Sequence, residues 1–264
     1  MFGRRPDATL VKQITPLQRF MPFVSPRRNE ALVLYAQTIS VDAAFAFIEA
    51  RNASRPPEKR LTLFHVILRA IALALDEKPR LNRFVKGSRL WQRDGIWLTF
   101  SAKRAFADDA SVITVKRQFN PKEDLEAMAD GVLAPLSSSR SGKLTTSEKE
   151  MGVMLRLPLS VLRFAMWFAA KADDWGLMPG TMIHADPLYT SAFIANLGSV
   201  GLEAGYHHLW EWGTCPIFCV IGHIAETPEG RKVTLKWTYD ERTADAFYAV
   251  QGIERVRHHV ENPS

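Results

Sequence analysis

Apolar and polar positions alternate or recur at helical spacing along most of the chain, and the two periods take turns. ALVLYAQTIS (31–40) alternates as a strand does, and VDAAFAFIEARN (41–52) then repeats its apolar positions at helical spacing. LTLFHVILRAIALALDEKP (61–79) predicts a strong helix, with Thr62 or a neighbour as its cap. RLWQRDGIWLTFS (89–101) reads as a hairpin with Asp94-Gly95 in its turn. SVITVKRQF (111–119) predicts a strand and PKEDLEAMADGVLAPL (121–136) a helix. SAFIANLG (191–198), CPIFCVIGHIAE (215–226) and KVTLKWTYD (232–240) are further strands, and residues 244–263 form a closing helix ended by Asn262-Pro263. An amphipathic helix is expected over 7–20. Strands and helices mixed in this way, with short returns, predict an α/β sandwich on a mixed sheet.

One segment fits neither an ordinary surface helix nor a strand. LPLSVLRFAMWFAAKA (157–172) is apolar except for a narrow stripe of Ser160, Arg163 and Lys171, continued by Asp174. It is short for a bilayer span and carries charge. Such a helix is either buried on most sides, within the fold or its oligomer, or seated on lipid or protein. Burial is the expectation. No repeat and no Pro- or Gly-rich linker divides the sequence, and SSSRSGKLTTSEK (137–149) is its most loop-like stretch. One domain over 1–264 is therefore expected, with residues 1–30 as a basic helix and arm.

Composition removes several classes. Of 264 residues, 47% are hydrophobic and 23% charged, so the chain is neither disordered nor collagen-like. The net charge of +6 is concentrated early: residues 1–60 hold ten Lys/Arg against five acids. A basic balance suits a nucleotide-bearing cofactor, nucleic acid or an anionic membrane surface. No nucleic-acid motif is present, so that partner is not expected. Cys215 and Cys219 sit four apart in a strand pattern without further ligands; they read as buried reduced thiols in a reducing, cytoplasmic setting, not a metal site. MFGRRPDATL has no apolar core of signal-peptide length.

Three stretches carry a resemblance. LTLFHVILRAIALALDEKPRLNRFV resembles a helix leading into an "hP-x-hN" turn. SAFIANLGSVGLEAG resembles an "FTISNLG-x-G" strand and turn. TYDERTADAFYAVQGIERVRHHVENP resembles "SYDHRxxDG" followed by a helix ending in "LE-x-P". Taken in this order, over about residues 10–263, they resemble the catalytic domain of 2-oxo acid dehydrogenase E2 acyltransferases and, more distantly, chloramphenicol acetyltransferase. The resemblance implies a chloramphenicol acetyltransferase-like sandwich, a mixed β-sheet flanked by helices. It also implies acyl-CoA or CoA as substrate and a homotrimer with active sites between subunits, which can build a larger assembly. Its partners would be a carrier protein or 2-oxo acid dehydrogenase components. The sequence shows no lipoyl domain, subunit-binding domain or long Ala/Pro linker, so no lipoyl group is expected on it.

The departures fall where the family's chemistry lies. Glu241 stands at the motif His, Ala195 at the oxyanion Ser, and Ala246 at the Gly after the retained Asp245. A positioned base is worth about 10²–10⁴-fold and an oxyanion donor about 10²–10³-fold. Glu241 replaces the base only where burial or a like charge, such as Asp245, disfavours its ionised form. Tyr206-His207-His208-Leu209-Trp210-Glu211-Trp212-Gly213 offers a second base: an imidazole titrates near neutrality. His207 or His208 then replaces the motif His, with Glu211 or Glu241 orienting it; adjacent strand positions point oppositely, so one of the pair faces the site. The alternative is a packed interface loop. Asn196, Glu211 and Trp212 are the candidate substrate-binding residues, and no metal is expected. His65 reads as a core residue, His258 and His259 as helix-terminal cations, and His184 and His223 lack recognisable partners.

Two functions remain open. One is an acyltransferase with a relocated apparatus, acting on a thiol, hydroxyl or amine, with 157–172 lining an acyl-chain pocket. The other is an inactive trimeric scaffold or regulatory pseudoenzyme. The basic N-terminal region and the apolar helix also leave peripheral membrane contact open.

Overall fold

The computed structural model describes residues 4–103, 112–140, 152 and 155–264. Nine strands form two sheets among these residues. The large sheet runs β2 (Leu32–Ser40), β9 (Gly230–Asp240), β8 (Ile217–Thr227), β7 (Ala192–Asn196), β5 (Ile96–Lys103) and β6 (Val112–Phe119) in spatial order. Its centre, β5–β7–β8, is parallel and its flanks are antiparallel, which makes it the expected mixed sheet.

One face of this sheet is covered by helices α2 (Asp42–Asn52), α3 (Leu63–Glu77), α4 (Leu125–Arg140) and α7 (Ala246–Glu261). α3 is apolar on nearly every side, so it lies in the middle of the core: Val66, Ile67, Leu68, Ala70, Ile71, Ala74 and Leu75 are all buried. α7 buries only the stripe Ala249, Gly252, Ile253, Val256 and Val260, the spacing of a helix with one solvated side. Ile194, Cys219, Leu235 and Trp237 meet these helices from the sheet. Cys215 and Cys219 are buried free thiols, both pushed up by desolvation.

His65 occupies the core and completes a capping box. Its Nδ1 accepts from the Thr62 amide at 3.1 Å, which satisfies a donor that the helix start leaves free. Burial pushes its pKa down to about 4. The folded state thus favours neutral imidazole, and the stability this contributes is complete above the unfolded value. It is lost as pH falls from 6.5 to about 4, up to about 3 kcal/mol. His65→Gln keeps an acceptor near Thr62 without titrating. Urea midpoints followed across that window should fall less steeply in the variant than in the parent; parallel acid limbs would refute the assignment.

Three expectations need correction. Residues 7–20 are not one helix: Ala8–Leu10 is an edge strand, β1, and α1 begins only at Pro16 and ends at Val24. Thr15 and Gln18 form a capping box and proline occupies the first turn, which together fix that start. Residues 89–101 do not form a hairpin. β4 (Arg89–Arg93) joins β1 and β3 (Arg83–Lys86) in the small sheet, while β5 belongs to the large one. The turn at Asp94-Gly95 is real, with Gly95 at φ +74°, but it hands the chain between sheets. Asn82 of the "hP-x-hN" turn holds it, donating to Gly95 O at 2.8 Å. The local hairpin is β3–β4, whose loop residues Gly87 and Ser88 have φ of +57° and +56°, the geometry of a two-residue primed turn.

The third correction concerns one half of the expectation for the apolar helix, burial within the fold or its oligomer. α5 (Leu159–Asp174) is not buried by the described residues of its own fold: Phe164, Trp167 and Phe168 are 65%, 56% and 57% exposed. It is followed by α6 (Gly180–Ala185). Of the expected loop 137–149, residues 137–140 close α4 and the remainder lies outside the described residues. No described helix is long and apolar enough to cross a membrane.

Candidate functional site

The sheet face opposite the helices carries the motif positions. Strand alternation sends Phe193 and Ala195 of β7 to this side and Ile194 to the core. Phe218 and Val220 of β8 pair with Phe193 and Ala195, and Thr99 and Ser101 of β5 pair with the same two residues from the other side. β7 ends at Asn196, whose Oδ1 accepts from the Ser199 amide at 3.1 Å. The glycine of "ANLG" is required by packing: a Cβ on Gly198 would lie 2.2 Å from Gly222 O.

Residues 202–213 cross this face as irregular chain. His207 stacks on Phe218 with ring centroids 4.1 Å apart and planes 11° apart, and Trp210 covers Phe193 at 5.0 Å. The expected opposition of His207 and His208 does not occur, because the segment is not a strand. The two rings stack at 4.5 Å, His207 half-buried and His208 exposed.

His207 Nδ1 lies 2.6 Å from His208 O. A carbonyl only accepts, so Nδ1 carries the proton and Nε2 keeps its lone pair. No hydrogen bond engages Nε2 among the described residues. Burial lowers the His207 pKa, only partly offset by that hydrogen bond, so the ring is neutral at neutral pH. A neutral imidazole with a fixed tautomer and an open Nε2 is a competent proton acceptor.

The carboxylates are placed elsewhere. Glu211 accepts from the Arg28 amide at 3.1 Å, the Asn29 amide at 3.0 Å and Asn29 Nδ2 at 2.8 Å. It clasps the N-terminal arm and does not orient either imidazole. Trp212 donates Nε1 to Asp186 Oδ2 at 2.6 Å and packs edge-on against Tyr189. Asp245 caps α7, accepting from the Tyr248 amide at 2.9 Å. Glu241 is exposed, and its amide donates to Ala31 O at 3.0 Å. Register places Tyr239 level with Ile217 and Asn196 level with Ile221, four residues of strand or roughly 13 Å apart, and Glu241 follows two residues beyond Tyr239. One chain therefore separates the two ends of the motif pair and puts His207 between them.

Sequence reasoning missed the residues that hold this loop and one that faces it. Asn29 Nδ2 donates to Leu209 O at 2.6 Å, and Arg28 donates to Trp210 O and, at 3.1 Å, to Gly213 O. Arg28 also lies 3.8 Å from Asp240, which takes a bidentate pair from Arg242 at 2.8 and 2.7 Å. Arg242 in turn donates to Ser25 O and Pro26 O. Ser101, paired with Ala195, sets a hydroxyl on the neighbouring strand of the same face. His184 tilts over Trp97, His223 lies 3.4 Å from Glu203, and His259 hydrogen-bonds Glu77 at 2.9 Å.

No family model and no curated relative matches the sequence. Solved structures do match over nearly all of it. Dihydrolipoamide acetyltransferase of Azotobacter vinelandii is similar at 15% identity and a TM-score of 0.62, covering 96% of this chain and 92% of that one. In that enzyme a serine, a histidine and an asparagine have been investigated for their role in the catalytic mechanism. A truncated catalytic core of the 2-oxoacid dehydrogenase multienzyme complex from Thermoplasma acidophilum matches at 13% identity and 0.63, covering 96% and 99%. Chloramphenicol acetyltransferase matches at 11% and 0.60, with the same coverage. The fold is that of E2 catalytic cores and chloramphenicol acetyltransferase. Within this E2-like fold, Ala195, its neighbour Ser101 and the Phe218 on which His207 stacks share one sheet face, while Glu241 lies in the turn before α7.

Proposed function

We propose that the protein is a CoA-dependent acyltransferase in which His207 acts as the base and Ser101 supplies the hydroxyl that Ala195 lacks. The carrying observation is the state of His207: neutral, held by His208 O, with Nε2 open on the face that bears Ala195 and Ser101. An acceptor thiol, hydroxyl or amine would give its proton to Nε2 and attack the thioester carbonyl. The CoA thiolate then leaves and recovers that proton, so the imidazole ends neutral. Ser101 would donate to the oxyanion formed in between. The acceptor we propose is a separate molecule, either a carrier protein or a 2-oxo acid dehydrogenase component. The gap between Glu241 and Asn196 favours a homotrimer that brings the two ends together across its boundaries.

A specific observation supports a second reading, a non-catalytic scaffold: the motif base and oxyanion positions hold an exposed Glu241 and a methyl at Ala195. Purified protein incubated with acyl-CoA, an added dithiol and a thiol reagent separates the two. The enzyme reading expects steady CoA release above the protein-free rate and a CoA-dependent rise in melting temperature. Absence of both leaves the scaffold.

A further inference from the structure

α5 presents an apolar surface that the described residues leave uncovered. Leu162, Ala165, Ala169 and Ala172, spaced three and four apart, form its less exposed side. Leu159, Val161, Phe164, Met166, Trp167 and Phe168 spread over the rest, with Phe164 and Trp167 stacked at 6.0 Å. Soluble surfaces seldom leave so many large side chains contiguous without a partner.

The helix is firmly seated at its far end. Asp173, fully buried, takes Arg5 at 2.6 Å, Lys86 at 3.1 Å and the Tyr189 hydroxyl at 2.8 Å. The exposed surface is thus carried by a fixed stem.

Charge selects the occupant. From residue 151 to 172 the sequence contains no acid and holds Arg156, Arg163 and Lys171; at the far end of the helix Asp173 is buried against Arg5 and Lys86, and Asp174 pairs with Lys171 at 3.6 Å, so Arg156 and Arg163 carry the unbalanced positive charge. α1 repeats the combination: Leu17, Phe20, Phe23 and Val24 are exposed, Arg19 lies among them, and no acid occurs between Asp7 and Glu30. Two copies of such surfaces repel each other, whereas anionic headgroups attract both. Trp and Phe beside Arg and Lys suit the boundary between headgroup and acyl chain, where long cationic stems reach back to the phosphates. α5 is about 24 Å long and does not qualify as a spanning helix, so it would lie in the plane of the surface.

We infer that α5 docks this protein peripherally on an anionic lipid bilayer. The inference stands on this exposed helix and is independent of the acyltransferase reading. The test is co-sedimentation of the full chain with phosphatidylcholine vesicles and with equimolar phosphatidylcholine/phosphatidylglycerol vesicles. Binding to the anionic vesicles, weakened by added salt, is expected. Trp167→Glu/Phe168→Glu should lower it at least about tenfold, and Arg163→Ala about fivefold. Both changes lie on exposed positions, so unchanged circular dichroism should accompany them. Equal affinity for neutral and anionic vesicles, no vesicle binding, or variants that bind like the parent would each overturn the proposal. So would loss of self-association in Trp167→Glu/Phe168→Glu without any lipid binding by the parent, which would make α5 an interface between copies.

Discussion

Asp240→Asn is expected to destabilise the folded protein by about 3–5 kcal/mol, the cost of removing one partner from a buried ion pair. Asp240 is fully buried and is the carboxylate shared by Arg242, at 2.7 and 2.8 Å, and Arg28, at 3.8 Å. Asparagine keeps the volume but removes the charge, so two buried guanidinium groups lose their counter-ion. Burial already lowers the Arg28 pKa, chiefly by desolvation, with Asp240 opposing that shift. The loss would reach past the pair, because Arg28 holds the backbone of Trp210 and Gly213, and Arg242 holds Ser25 and Pro26. Domain stability is typically about 5–15 kcal/mol, so urea unfolding should show a large fall in midpoint. Asp245→Ala removes only a helix cap and should cost about 1 kcal/mol. A shift in Asp240→Asn no larger than in Asp245→Ala would show that the arginines find other partners.

Neither the structural role of Asp240 nor the exposure of Glu241 was visible in the sequence, which offered Glu241 as a candidate base. The strand and helix periods around β2, α2, β9 and α7 were legible because each buries one face against one layer, α3 and β8 were legible as apolar runs that lie within the core, and the motif order pointed to the fold. The split of β4 from β5 was not legible, because turn chemistry at Asp94-Gly95 says only that the chain reverses. Which sheet each strand joins depends on Asn82 gripping Gly95 and on β1 returning from the N-terminus. α5 was legible as apolar but not as exposed, since composition does not report what a helix faces. At the site, the sequence singled out His207 and His208 together. Their separation depends on one carbonyl and one phenyl ring, His208 O and Phe218. Arg28 and Asn29 act from about 180 positions away, a distance that no local pattern spans. Ser101 was missed because only strand register brings it beside Ala195.

His207→Gln is expected to reduce kcat/KM for CoA release by about 10²–10⁴-fold, the worth of a positioned base. Glutamine fills much of the imidazole volume against Phe218 but offers no titrating lone pair. His208→Gln should change the rate far less, because its exposed ring only stacks on His207 and its contribution to the tautomer is a backbone carbonyl that survives substitution. Glu241→Gln should likewise leave the rate near that of the parent. Ser101→Ala should cost about 10²–10³-fold, and the double variant with His207→Gln less than the product, because the two act on one transition state. The pH profile discriminates further. Burial lowers the His207 pKa from 6.5, so kcat/KM should fall on the acid side with an inflection below that value, and the inflection should vanish in His207→Gln. A large loss in Glu241→Gln, with His207→Gln retaining the parent rate and profile, would move the base off the sheet face. The chemistry would then belong to the exposed head of α7, where a second copy of the chain would have to supply whatever desolvates Glu241.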